Sequence, residues 1–191
     1  MLVLQSLLGY VLIGAMGMGL LAVCYLPIGF LLRKRVSPWR QIPWFLLVVC
    51  GLVIADATIF IDVIAAIGQG RSVFSSYHSL NLIPFQFITE SWAMGARLQL
   101  TQNLANVLMF VPLGLLFPMV FRKARTLGQA ALRLMLCSVA IEFVQFWIGR
   151  SADIDDVLLN TLGGVLGYLL YTLFDRWLGK RGFWKNMKGT A

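Results

Sequence analysis

The sequence predicts an all-α fold, a polytopic integral membrane bundle of about five transmembrane helices. Of its 191 residues, 59% are hydrophobic and 13% are charged, and the mean hydropathy is +0.81. So little charge does not cover the surface of a soluble domain. Apolar runs near the ~20 residues that a spanning helix needs occur at residues 2–32, 43–67, 103–121, 128–149 and 156–174.

The distribution of positive charge predicts the orientation of these helices. Only Arg71, Arg97 and Arg150 of the 16 basic residues lie outside three groups. The groups are Arg33, Lys34, Arg35 and Arg40; Arg122, Lys123, Arg125 and Arg133; and Arg176, Lys180, Arg181, Lys185 and Lys188. By the positive-inside rule these groups are cytoplasmic, which puts the N-terminus outside and the C-terminus in the cytoplasm. A nucleic-acid partner is not expected, because the basic residues flank spans and form no folded basic module.

The first two spans lead into a long outer loop. The first span is rich in glycine and is followed by a basic cluster, so we expect a retained anchor and not a cleaved signal peptide. Asp56 and Asp62 lie in the second span and face different directions, because they are six residues apart. The loop comprises residues 68–102. The composition of residues 82–100 within it predicts an amphipathic interfacial or re-entrant helix. The chain, residues 1–191, is expected to form a single membrane domain.

Polar residues recur near the predicted outer ends of the third and fourth spans. Asn103 and Asn106 lie in the third span, and Glu142 and Gln145 share a face of the fourth because they are three residues apart. Glu142 lies roughly 10 Å below the outer edge at about 1.5 Å per residue. A charged carboxyl near a helix centre costs about 2.5–3.5 kcal/mol. We therefore expect Glu142 to be paired, protonated or facing a wet cavity, and a mid-helix position predicts no capping role for it.

The start of the fifth span carries a second polar face. Asp153, Asp156 and Asn160 share this face at spacing i, i+3, i+7, whereas Asp155 points about 100° away from Asp156. Arg150 lies in the short loop before them, and its guanidinium suits a carboxylate or an anionic ligand. Because the loop is short, the fourth and fifth spans should be antiparallel neighbours whose polar faces meet.

A structural interpretation is also open for several of these residues. Asp153 is placed to cap the fifth helix, and Asp156 is placed to complete a box-like cap as its third residue. Asn106 and Asn160 are of the type that forms hydrogen bonds between membrane helices. The GxxxG motif at residues 163–167 allows another helix to approach closely.

His78 and Asn81, in the outer loop, are further candidates for the site, with His78 as a general base. Cys24, Cys50 and Cys137 are isolated in apolar segments, so neither a disulfide framework nor a zinc site is predicted. No metal or other cofactor is expected. A set of oxygen ligands for Mg²⁺ or Ca²⁺ among the carboxylates is a weaker alternative.

Three stretches occur in order in the second half of the chain: NLIPF at 81–85, NVLMFVPLG at 106–114, and polar and glycine residues between 142 and 167. In this order they resemble the VanZ-like family of bacterial membrane proteins, named for a teicoplanin-resistance protein. The resemblance covers residues 78–171, the motif-bearing core. It implies a multi-pass protein of the bacterial plasma membrane that is associated with resistance to lipoglycopeptides such as teicoplanin, and it implies no particular reaction.

Three functions fit these observations. The first is an envelope protein whose outward polar pocket binds a membrane lipid, a lipid-linked cell-wall component or a lipoglycopeptide, and so lowers susceptibility to the antibiotic. The expected binding residues are Asn106, Glu142, Gln145, Arg150, Asp153, Asp156 and Asn160. The second is an intramembrane enzyme acting on an envelope lipid or glycan, with Glu142 as the candidate catalytic acid or base. The third is a helical scaffold for a membrane partner; no oligomeric state is predicted.

Overall fold

The computed structural model describes residues 37–74, 78–86, 88, 96–121 and 126–188, and these residues are mostly helical. The helices are α1 (Pro38–Ala55), a π-helical turn (Asp56–Phe60), α2 (Ile61–Gly68), α3 (Ala96–Val120), α4 (Leu127–Trp147), α5 (Ile154–Leu178) and α6 (Gly182–Lys188). Two short strands, β1 (Ser79–Asn81) and β2 (Ser151–Asp153), complete the described fold.

Within the part of the chain that the structure describes, four helices are long and apolar enough to cross a membrane. They are Pro38–Gly68, which joins α1, the π-helical turn and α2; Leu100–Val120 within α3; α4; and α5. The predicted all-α membrane bundle is thereby confirmed. The first predicted span, residues 2–32, lies outside the described residues. Of the stretch 82–100, residues 82–83 have no regular structure, residues 84–85 form a turn, residues 86 and 88 are helical and residues 96–100 begin α3; the rest lies outside the described residues, so the predicted interfacial or re-entrant helix stays a prediction.

Helices α3 and α5 cross at a line of glycines. A Cβ atom added to Gly163 would lie 2.0 Å from the carbonyl oxygen of Val107, and one added to Gly167 would lie 2.0 Å from that of Val111. Gly114 of α3 has the same relation to the backbone of α5. The close approach predicted from the GxxxG motif is therefore confirmed, and the partner helix is α3.

Apolar side chains fill the space among α1, α3, α4 and α5. Phe110 and Leu134 are completely buried and pack with Ile54 of α1. A second cluster includes Met119 and Trp184 and lies where α6 packs against the bundle. The core therefore extends along the bundle and holds the four long helices in a fixed relation.

The two strands form a parallel pair that the sequence did not predict. Ser79 lies opposite Ser151, and Asn81 lies opposite Asp153. A three-residue strand is too short to show the alternation of apolar and polar residues that identifies strands in a sequence. The pair attaches the loop after α2 to the turn between α4 and α5.

The two ends of the bundle differ in chemistry. At one end, which we call the basic end, Arg40 donates hydrogen bonds to the last carbonyls of α3 and to a carbonyl of α6. Asp175 there accepts from the Trp184 indole and forms an ion pair with Lys188. The opposite end, where α4 leads through β2 into α5, is the cavity end. Asp156 at the cavity end and Asp175 are roughly 28 Å apart at about 1.5 Å per residue.

Candidate functional site

A cavity of about 570 Å³ opens at the cavity end of the bundle. Residues of the π-helical turn, α3, α4, β2 and α5 line it. The lining includes every residue predicted from the sequence to bind a ligand: Asn106, Glu142, Gln145, Arg150, Asp153, Asp156 and Asn160. The structure therefore brings together polar side chains that are up to 54 positions apart in the chain, since 160 minus 106 is 54.

Glu142 lies on α4 with only 6% of its surface exposed. Its Oε2 accepts a hydrogen bond from the backbone N–H of Asp153, at 2.9 Å. Asp153 immediately precedes α5, where helix N–H groups lack partners within their own helix. The expectation that Glu142 has no capping role is therefore wrong, because this side chain caps the neighbouring helix and not its own.

Asp153 is the N-cap of α5, as the sequence predicts. Its carboxylate accepts from the Asp155 N–H at 2.8 Å and from the Asn81 side-chain amide at 3.1 Å. The box-like cap is not formed, because the Asp153 N–H already donates to Glu142. Asp156 instead accepts from the Asn106 side-chain amide at 2.5 Å, which links α5 to α3.

Arg150 lines the cavity and forms an ion pair with Asp62 of α2, at 3.1 Å. It also donates a long hydrogen bond of 3.5 Å to the carbonyl oxygen of Thr58, which accepts from Gln145 at 3.3 Å. Thr58 lies in the π-helical turn, an arrangement that is frequent at functional sites. The sequence assigned no partner to Asp62, because pairing across helices depends on their packing.

Two buried amide oxygens in the cavity lining have no hydrogen-bond partner among the described residues. They are Oε1 of Gln145 and Oδ1 of Asn160. The nitrogen atoms of both side chains are engaged, with the Thr58 carbonyl and with the Ser138 hydroxyl respectively. An unpaired buried acceptor destabilises a protein by about 1–3 kcal/mol. These two oxygens therefore retain unused acceptor capacity in side chains that line the cavity.

His78 and Asn81 lie beside the cavity and not in its described lining. His78 stacks on the Phe146 ring at 4.6 Å, and its Nδ1 is 2.9 Å from the Phe146 carbonyl oxygen. Because a carbonyl oxygen only accepts, Nδ1 is the protonated nitrogen in this contact. This geometry gives His78 a role in attaching β1 to α4.

The NLIPF stretch, residues 81–85, forms hydrogen bonds to the N-terminus of α5, and we call this arrangement the clasp on α5. Asn81 binds Asp153 and also accepts from the Ile83 N–H at 3.1 Å, which closes a local turn. The Phe85 N–H then donates to the buried carboxylate of Asp155 at 2.6 Å. Phe85 has φ of 65°, a strained backbone for a residue other than glycine. Asp155 thus faces away from the cavity as predicted, and it has a structural partner that spacing alone does not reveal.

An apolar groove of about 330 Å³ lies next to the polar cavity. Glu142 and Asp153 line both spaces and form the wall between them. The other residues lining the groove are Leu80, Leu82, Val139, Phe143, Phe146, Ala152, Ile154 and Val157. The site therefore has a polar part and an apolar part side by side.

Several residues of the site were missed at the sequence level. Ser138 precedes Glu142 by four positions and Gln145 by seven, so helix periodicity places it on their face and could have identified it. Gln102 also lines the cavity. It lies four positions before Asn106, so the same helix periodicity could have identified it. The carbonyl of Thr58 had no such signal, because the π-helical turn has no sequence pattern of its own. Among the described residues, no three His, Cys, Asp or Glu side chains are placed to hold a metal ion.

These features define a helical membrane protein with a polar cavity at one end of its bundle. The family model described as VanZ/LLP1 matches residues 44–175, and the chain belongs to this family. Protein VanZ of Enterococcus faecium is 38% identical over 113 residues, which are 58% of this chain and 63% of that protein. The match thus spans less than two thirds of the relative's length. No solved structure matches the chain.

Proposed function

We propose that this chain is a multi-pass protein of the bacterial plasma membrane that lowers susceptibility to lipoglycopeptide antibiotics such as teicoplanin. In this proposal the polar cavity binds a membrane lipid or a lipid-linked cell-wall group, and the bound group becomes less accessible to the antibiotic. The supporting observation is the meeting of polar side chains from three helices around one cavity in a bundle that is otherwise apolar. The antibiotic class comes from the family resemblance.

The cavity has dimensions that suit this role. Its volume of about 570 Å³ falls within the range of about 300–1,000 Å³ that is usual for small-molecule sites. Polar groups at membrane depth are expensive, and they are most often found where a substrate or ion is handled. The residues Glu142, Gln145 and Asn160 are at least nine-tenths buried and still line an open space.

The charge distribution supports an outward-facing cavity. Arg40, Asp175 and Lys188 meet at the basic end, opposite the cavity end. The positive-inside rule favours a cytoplasmic location for this end of a membrane protein. With five spans the proposed topology has the N-terminus outside and the C-terminus in the cytoplasm.

Glu142→Gln is the variant that tests the proposal. The substituted amide keeps an oxygen that accepts from the Asp153 N–H, so folding should be maintained while the carboxylate is lost. We expect teicoplanin susceptibility in a sensitive host to rise to that of the host without the protein, at an unchanged level of protein in the membrane. Asp175→Asn, the same chemical change at the basic end, should leave resistance intact.

Two outcomes would redirect the proposal. Full resistance with both Glu142→Gln and Asp156→Asn would overturn a role for the cavity. Lipid extracts of cells with and without the protein should also be compared by mass spectrometry. A modified envelope lipid that disappears with Glu142→Gln would favour the enzyme over the binding protein.

A further inference from the structure

We infer that the site takes an amphiphile with a protonated amine, its ammonium group in the polar cavity and its apolar chain in the adjacent groove. This inference rests on the proposed function, because it uses the same cavity as a binding site. It adds the chemical class of the ligand, which neither the family nor the cavity volume defines.

The unpaired atoms of the cavity identify what the ligand must offer. Gln145 directs its Nε2 to the Thr58 carbonyl, which only accepts, so the orientation of this amide is fixed with its oxygen unpaired. Asn160 directs its Nδ2 to the Ser138 hydroxyl, which leaves its oxygen unpaired in this structure, although a hydroxyl does not by itself fix the amide orientation. The Gln145 oxygen, whose orientation is fixed, accepts hydrogen bonds and does not donate. The complementary ligand group is therefore a donor.

The charges around the cavity favour a cationic donor. Three carboxyl groups, those of Glu142, Asp153 and Asp156, line it. Arg150 is the basic residue in the described lining, and its guanidinium is already paired with Asp62. An ammonium group has three N–H donors and no acceptor, which matches a pocket of amide oxygens and carboxylates. A phosphate or carboxylate without an amine would instead meet like charge.

The groove accounts for the second half of the ligand. Glu142 and Asp153 line both the groove and the cavity, so the two spaces are neighbours at these side chains. The remaining groove residues, which include Leu80, Val139 and Phe143, are apolar. A hydrocarbon chain attached to the amine-bearing headgroup is the occupant that the adjacency of the two spaces predicts.

The test compares two lipids that differ only at the amine. The full-length protein is placed in phosphatidylcholine nanodiscs that contain phosphatidylethanolamine or its N-acetyl derivative, and bound lipid is counted by native mass spectrometry. We expect about a tenfold preference for the free amine, because one charge-assisted contact is lost on acetylation. Phosphatidylglycerol, which is anionic and has no amine, should bind no better than the acetylated lipid.

Matched variants connect the preference to the cavity. Asp156→Asn and Glu142→Gln should each reduce the preference to nearly equal binding, whereas Asp175→Asn at the basic end should retain it. Thermal unfolding of each variant confirms that it is folded. Val139→Trp, which fills the groove, should weaken binding of the long-chain amine lipid and leave a short-chain analogue unaffected.

Equal binding of the free and acetylated amines to the wild-type protein would overturn the inference, as would a preference for phosphatidylglycerol. These results are separable from a failure of the proposed function. Loss of resistance in the cavity variants without an amine preference leaves the proposed function standing. A clear amine preference with unchanged resistance in those variants would leave the inference standing and overturn the proposed function.

Discussion

Asp153 connects α4, β1 and the start of α5 at the cavity end. Its backbone N–H binds Glu142 of α4, and its carboxylate binds Asn81 of β1 and the N–H of Asp155. These contacts satisfy polar groups that would otherwise be unpaired at the edge of an apolar bundle. The residues around the cavity thus stabilise the fold and shape the site at the same time, and variants must distinguish the two roles.

Asp153→Ala should lower the free energy of unfolding by roughly 2 kcal/mol, because it removes an N-cap and an acceptor for Asn81. Asp153→Asn should be closer to wild type, since asparagine also caps helices well. The measurement is thermal unfolding of purified protein in detergent. Equal stability of the alanine and asparagine variants would contradict the assignment of Asp153 as a functioning cap.

Arg150→Ala should change stability by less than about 1 kcal/mol, although it removes an ion pair. The side chains of Arg150 and Asp62 are 44% and 43% exposed, so water screens their attraction. The same unfolding measurement checks this expectation. A loss comparable to that of Asp153→Ala would mean that the ion pair holds α2 in place.

At the level of elements, the crossing of α3 and α5 is the feature that positions the cavity. Asn106 and Asp156 meet just beyond the point where Gly163 lies against Val107. The helices can approach this closely because glycine has no side chain to separate the backbones. A change in the distance between these helices would move two walls of the cavity apart.

Gly163→Ala should therefore destabilise the protein by about 2 kcal/mol or more, since the new Cβ would overlap the Val107 carbonyl and force a backbone shift. Gly128→Ala is the matched control, because no described atom lies within 4 Å of a Cβ at that position. It should be neutral or stabilise α4 by up to about 1 kcal/mol. Similar destabilisation by both substitutions would argue against the crossing as observed.

At the level of elements, the sequence predicted the features that depend on residues close together in the chain. Apolar runs identify α4 and α5, and the spacing of Asp156 and Asn160 identifies their shared face, because both depend on helix periodicity alone. The pairing of β1 with β2 and the hydrogen bond from Asp153 to Glu142 join elements through their packing. No local pattern encodes such contacts, so the clasp on α5 and the π-helical turn emerge only from the structure.

The molecule as a whole presents an apolar exterior. Large hydrophobic side chains on the described helices are widely exposed, with Trp177 at 78%, Ile67 at 64% and Leu108 at 57%. On a soluble protein such a surface would promote aggregation. In a bilayer such a surface contacts lipid chains.

The proposed orientation predicts which end reacts with reagents outside the cell. In a variant without Cys24, Cys50 and Cys137, a single Ser72→Cys substitution should react with a membrane-impermeant maleimide in intact cells. Lys180→Cys should react only after the membrane is permeabilised. Labelling of Lys180→Cys in intact cells would reverse the orientation and move the cavity to the cytoplasmic side.

Synthesis on the ribosome separates β1 from β2 in time. Ser79 and Ser151 are 72 residues apart, so at about 5–20 residues per second the first strand is made roughly 4–14 s before its partner exists. During this interval α3 and α4 are completed, while Asn81 still lacks the Asp153 carboxylate that it binds in the finished protein. Closure of the cavity end is therefore a late event in biogenesis, and a ribosomal pause between α3 and α5 would extend the period in which β1 is unpaired.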